Sequence, residues 1–222
     1  MGSAESPLIP LLACSSFGSH AAVYKGEDGL RVERILIGID VVVICLVCDG
    51  HGGHEAALLV CSQVVEIIAK ECKGSADKDT LKAAARSAFL QLDEVMQSDE
   101  APTSGTTVTL CLLNETRGEL TVCNLGDSFA ILMPAHPRQA GMSSVQELTQ
   151  SDRLEESAEE CQRVRAEGGK LGHLAVNGQA AGPLRGFPGG VCNSRAIGDR
   201  DCGRWVTAEP HVKTVTFPQS GG

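Results

Sequence analysis

The chain has 222 residues, of which 42% are hydrophobic, 21% charged and 3% aromatic. That composition suits one globular domain with a sizeable core and argues against global disorder. Lys plus Arg is 19 and Asp plus Glu is 28, for a formal net charge of -9, and no basic block stands out, so a nucleic-acid groove is not expected.

Residues 1–17 mix small, apolar and Pro residues without a period and read as an irregular arm; the domain is expected over 18–222. Met1-Gly2-Ser3-Ala4-Glu5-Ser6 fits the N-myristoylation pattern at Gly2; an ordinary flexible start is the alternative. Ile35–Cys48 is a Val- and Ile-rich run expected to supply one or two strands. It contains Asp40 and is shorter than the roughly 20 apolar residues of a membrane-spanning helix, so no transmembrane segment is expected.

A helix is predicted over about 54–73, with Ala57, Cys61, Val64, Val65 and Ile68 as its apolar stripe. A second is predicted over about 79–97, with Asp79 as N-cap and Leu81, Ala85, Ala88, Leu92 and Val95 on one face. The period then changes. Thr106–Leu113, Glu119–Asn124 and Phe129–Met133 are short runs joined by short links, the pattern of a β-meander. A polar helix is expected over about 153–167, stopped by Gly168-Gly169. Residues 172–203 are Gly-rich and read as loop, and His211–Phe217 is the last strand candidate. Helices and antiparallel strands fall in separate groups, so the fold class is α+β.

The sequence has 10 cysteines, set in apolar runs with no secretory signal peptide before them. They read as reduced, buried thiols of a reducing compartment. Cys45-Leu-Val-Cys48 has zinc-ligand spacing but no second pair, and positions three apart on a strand point to opposite faces.

Asp49-Gly50-His51-Gly52-Gly53 carries the strongest chemical signal. It follows an apolar strand and precedes a helix, so Asp49 is held at the edge of the core while the glycines let backbone and ligand approach closely. Asp49 and the Gly50 carbonyl offer hard oxygen ligands for Mg²⁺ or Mn²⁺, and His51 offers a proton to a leaving group. A Gly-rich turn with Asp as a helix cap is the plainer alternative. Glu27-Asp28, Asp127 in Gly126-Asp127-Ser128, and Asp199 in Ile197-Gly198-Asp199 repeat the theme of acids beside glycines. No nucleophile elbow, phosphate-binding loop, dinucleotide fingerprint or His-Glu-x-x-His motif is present.

These segments resemble, in order, the type 2C (PPM) family of metal-dependent serine/threonine protein phosphatases. The matching pieces are Lys25-Gly26-Glu27-Asp28, Asp49 to Gly53, Ser104-Gly105-Thr106-Thr107, Gly126-Asp127-Ser128, Leu148-Thr149, Gly168-Gly169 and Ser194-Arg195-Ala196-Ile197-Gly198-Asp199. Arg153-Leu154-Glu155 and Gly182-Pro183-Leu184-Arg185 resemble a plant-like branch. The resemblance implies a four-layer αββα sandwich of two antiparallel sheets flanked by helices. It implies signalling by hydrolysis of phosphoserine or phosphothreonine in phosphoprotein substrates, with a metal-activated water and a two-metal Mg²⁺ or Mn²⁺ site. In this reading Asp49 bridges the metals, Gly50 gives its carbonyl, Glu27 and Asp28 are direct and water-mediated ligands, Asp127 serves a third ion, and His51 is the general acid.

The sequence also departs from the family. Val23 stands where an Arg usually grips phosphate, with Lys25 as the substitute for substrate binding. Ser151 and Asp152 replace an Asp-His pair, and there Asp152 is expected to cap the following helix. Phe129 replaces a common Arg. The family's Asp-Gly-x-Trp-Asp and Asp-Asn motifs do not occur, so the domain is expected to lack its C-terminal part. These departures keep open a catalytically impaired relative that binds phosphoproteins or regulatory partners. The expected location is cytoplasmic or nuclear, with membrane association if Gly2 is lipidated.

Overall fold

The computed structural model describes residues 17–19, 25–98, 100–133 and 145–217. The expectations for Gly2 and Val23 lie outside the described residues. In chain order the elements are β1 (Gly29–Ile37), β2 (Asp40–Cys48), β3 (Gly50–His51), α1 (Glu55–Glu71), α2 (Lys78–Met96), β4 (Gly105–Thr106), β5 (Val108–Asn114), β6 (Glu119–Leu125), β7 (Ile131–Leu132), β8 (Gln146–Glu147), α3 (Ala158–Ala166), β9 (Lys170–Val176), β10 (Gln179–Phe187), β11 (Ile197–Gly198) and β12 (His211–Thr216).

The main sheet is antiparallel, with strand order β1-β2-β5-β6-β12. Side chains alternate along a strand, so Val42, Ile44, Leu46 and Cys48 of β2 share one face. Leu110 and Leu112 of β5 join them against Val60, Val64 and Ile68 of α1 and Leu81, Phe89 and Leu92 of α2. Burying side chains of this size contributes roughly 1.5–3 kcal/mol each. A smaller core of Leu154, Cys161, Val164, Cys202 and Trp205 lies where α3 packs beside β9. The rest of the β structure consists of three small antiparallel sheets: β3-β4-β11, β7-β8 and β9-β10. The expected α+β class, antiparallel sheets with helices packed on them, is borne out, with few helices.

Several local expectations are corrected. The N-cap of α2 is Asp77, whose Oδ1 accepts the backbone N–H groups of Asp79 (3.1 Å) and Thr80 (3.0 Å). Val95 is exposed, and Met96 takes its place on the buried face. The third strand of the supposed meander does not pair with β6. The free edge of β6 is taken by β12, Thr121 opposite Thr214, and Ile131–Leu132 pairs with β8 instead. Helix α3 starts after its N-cap Ser157, five residues later than the apolar pattern suggested. The first half of the Gly-rich stretch after Gly172 is strand: β9 and β10 form a hairpin closed by Asn177-Gly178, both at positive φ. That pair is a strong two-residue turn signal, but the strands it joins lack apolar alternation because much of the hairpin is exposed.

Candidate active site

Strand β2 ends at Cys48, and after Asp49 the chain enters β3, where Gly50 and His51 pair with Thr106 and Gly105 of β4. On its other side β4 pairs with β11, Gly105 again opposite Gly198. This register puts His51 and Asp199 on either side of Gly105. His51 Nε2 lies 2.8 Å from both carboxylate oxygens of Asp199. A Cβ on Gly105 would sit 2.4 Å from that carboxylate, so only glycine leaves the path open. Asp199 is buried and holds a left-handed backbone (φ +52°), a conformation Asp tolerates better than most residues. Burial works to lower the His51 pKa, but the hydrogen bond and charge of Asp199, with Asp49 and Glu27, outweigh it and raise the pKa above the ordinary imidazole value.

Of the acids predicted to bind metal, Asp49 and Asp127 line one cavity with His51, and Glu27 and Asp28 lie near enough to Asp49 for their charges to act on it. Glu27 is fixed by the Gly53 N–H, which donates to its Oε1 at 3.0 Å, and the Glu27 carbonyl packs so close to Gly50 that a Cβ there would overlap it. Asp28 is exposed beside it. Asp49 has its carboxyl pushed above the usual range, first by partial burial, then by the charges of Asp28 and Asp127 and, more weakly, Glu27, against the opposing pull of His51. Asp127 accepts from Arg153 (2.7 Å) and Asn193 (2.8 Å).

Asp49, His51 and Asp127 line one cavity of about 240 Å³ together with Thr107, Arg153, Arg185, Val191, Cys192 and Asn193. An oxygen-only donor set in which burial, and then the neighbouring acids, disfavour the charged Asp49 suits a hard dication, whose charge would offset both. Lys25 stands apart: it is exposed, 3.8 Å from Glu27, and not among the residues lining this cavity.

Among the described residues, the groups of three ligand atoms within 4.8 Å of one another are Asp152, Glu160 and His211, and Asp199, Asp201 and Cys202; the acids around Asp49 stand further apart than that. The first is an ion-pair network already neutralised by Arg195 and Arg163. Asp152 therefore does not cap α3. It accepts the Gly126 N–H at 2.8 Å and faces His211 Nε2 at 2.8 Å, tying the loop before Asp127 to β12. The second group is drawn on by the His51 pair.

Sequence reasoning did not assign Asp199 as the partner of His51, nor Arg153, Arg185 and Asn193 as cavity residues. Asp199 stood in a noted Gly-Asp step, but nothing in spacing links positions that are 148 residues apart.

A family model for protein phosphatase 2C matches residues 39–220. The chain is 40% identical to "Probable protein phosphatase 2C 5" of Arabidopsis thaliana over 93% of its length and 48% of that protein's. It is 34% identical to "Probable protein phosphatase 2C 33" of rice (Oryza sativa subsp. japonica), over 100% of its length and 50% of that protein's. It thus spans about half the length of the curated relatives it matches. Its fold is shared by a C. elegans sex determining protein (TM-score 0.72, 24% identity, 89% of this chain and 47% of that one). The serine-threonine phosphatase 2C of Toxoplasma gondii shares it too (TM-score 0.57, 17% identity, 86% and 74%). With the acids, the histidine and the glycine-dependent register in place, these similarities carry one conclusion: the chain belongs to the protein phosphatase 2C family.

Proposed function

We propose that this chain carries the catalytic centre of a metal-dependent phosphatase acting on phosphoserine and phosphothreonine in proteins. The observation that carries the reading is the single cavity lined by Asp49, His51 and Asp127 with two guanidinium groups, Arg153 and Arg185. Asp49, Glu27, Asp28, the Gly50 carbonyl and Asp127 would hold Mg²⁺ or Mn²⁺. When bound, such ions make a water nucleophilic near neutral pH and neutralise charge on the phosphoryl oxygens.

The remaining work falls to this chain's own side chains. Asp199 occupies Nε2 of His51, so Nδ1 is the nitrogen left to protonate the departing serine or threonine oxygen. Asp199 fixes the ring and favours its protonated form, the office of an orienting carboxylate. Arg185 offers a planar fork suited to phosphate oxygens; one of its NH groups is steadied on the Gly190 carbonyl at 2.6 Å. Arg153, held by Asp127, sets that wall of the cavity.

A second reading, a phosphoprotein-binding relative with impaired catalysis, is favoured by one observation. Both Asp127 oxygens are engaged by Arg153 and Asn193, which suits a cationic pocket for phosphate as well as a metal ligand in waiting. Metal-dependent release of phosphate from a phosphothreonine peptide, compared between the chain and Asp49→Asn, separates the two. The binding reading predicts no release by a folded chain.

A further inference from the structure

The sulfurs of Cys48 and Cys61 lie 4.0 Å apart, within S–H···S hydrogen-bond distance. Cys48 ends β2 and immediately precedes Asp49, and Cys61 lies thirteen residues on, in α1. The segment between them carries Asp49, Gly50 and His51. Gly29 creates the meeting point. It is the register partner of Cys48, and a Cβ built on it would lie 2.5 Å from Cys61 Sγ and 3.6 Å from Cys48 Cβ. The Cys61 sulfur therefore fills the space of the missing side chain and is pressed toward Cys48.

We propose that Cys48 and Cys61 are a reversible oxidation site that a peroxide converts into a disulfide. The environment fits the chemistry. Cys61 is half-buried, while Cys48 is fully buried. The Arg31 guanidinium is anchored on the Cys61 carbonyl at 2.8 Å. The hydrogen bond with Cys48 and, against burial, the charge of Arg31 hold the Cys61 thiol below its ordinary pKa, the setting of a reactive thiol.

The step balances. Cys61 thiolate attacks one peroxide oxygen; the O–O bond breaks, and the departing hydroxide takes up a proton as water. Cys48 then attacks the sulfur of the resulting sulfenic acid. An S–S bond forms, the S–O bond breaks, and the Cys48 proton leaves with the second water. Two thiols have given two electrons to one peroxide. Closing from 4.0 Å to about 2.05 Å displaces one or both ends of the Asp49–His51 segment.

The test is chemical and does not depend on activity. The chain is treated with equimolar hydrogen peroxide, its remaining thiols are blocked with iodoacetamide, and it is cut with a glutamate-specific endopeptidase. Cleavage after Glu55 separates Cys48 from Cys61. The expected product is a dithiothreitol-sensitive peptide pair joined Cys48 to Cys61, lost in Cys61→Ser. Recovery of both thiols alkylated overturns the proposal. So does Cys61 carried to sulfinic acid without a cross-link, or a link between Cys45 and Cys111, which face each other across β2 and β5.

Discussion

Gly105 stands between His51 and Asp199 and has no side chain to keep them apart. It is the register partner of His51 on one side and of Gly198 on the other, and the imidazole reaches the carboxylate at 2.8 Å. Gly105→Ala puts a Cβ 2.4 Å from the buried Asp199 carboxyl. Overpacking of this kind costs roughly 1–3 kcal/mol. Thermal unfolding is expected to show that loss, and the His51 imidazole signals in NMR are expected to move. An unchanged melting temperature would mean that the strands shift freely here.

The same pair sets a pH dependence. Asp199 raises the His51 pKa, so the general acid stays protonated further up the pH scale than a free imidazole would. Activity that needs the protonated ring is lost as pH rises through that raised value. Asp199→Asn removes the charge, and the alkaline limb of kcat against pH is expected to move to lower pH. An unmoved limb would separate His51 from the proton transfer.

Glu160 is the stability counterpart. Burial acts to raise its pKa, but hydrogen bonds from Arg195, Ser194 and Arg163 overcome this and bring it from 4.5 to about 2. A carboxyl lowered on folding stabilises the native state above its unfolded pKa, and that stabilisation is lost as pH falls toward the folded value. The contribution is on the order of 3 kcal/mol, present at neutral pH and lost between about 4.5 and 2. Glu160→Gln leaves Arg195 and Arg163 short of a buried partner and is expected to cost about 3 kcal/mol in denaturant unfolding. The variant should also lose much of the acid sensitivity over that window.

Legibility in the sequence followed the physics of each element. Helices α1 and α2 showed themselves because each buries a stripe on a polar cylinder, and β2 because both its faces are apolar enough to form one run. The β9-β10 hairpin was invisible to hydrophobic patterning, and only Asn177-Gly178 betrayed its turn. At the site, Asp49 and His51 stood out because glycines crowd a strand end. The Asp199 partner and the Arg153 and Arg185 wall come from register and loop closure over long separations, which local spacing does not encode. Asp152 looked like a helix cap because Asp before a polar helix usually is one; instead it is drawn inward by His211 and Arg195.

The central claim is that Asp49 and its neighbouring oxygens hold the cations that make this cavity a phosphatase centre. The most direct test is phosphate release from a phosphothreonine peptide with Mn²⁺ or Mg²⁺ added, in the chain and in Asp49→Asn, with circular dichroism confirming that both are folded. The account predicts release that needs the metal, is abolished by chelation, and falls at least about 100-fold in the variant, the usual scale for a lost electrostatic catalytic group. Release that is indifferent to metal or to Asp49, or no release by the folded chain, would contradict it.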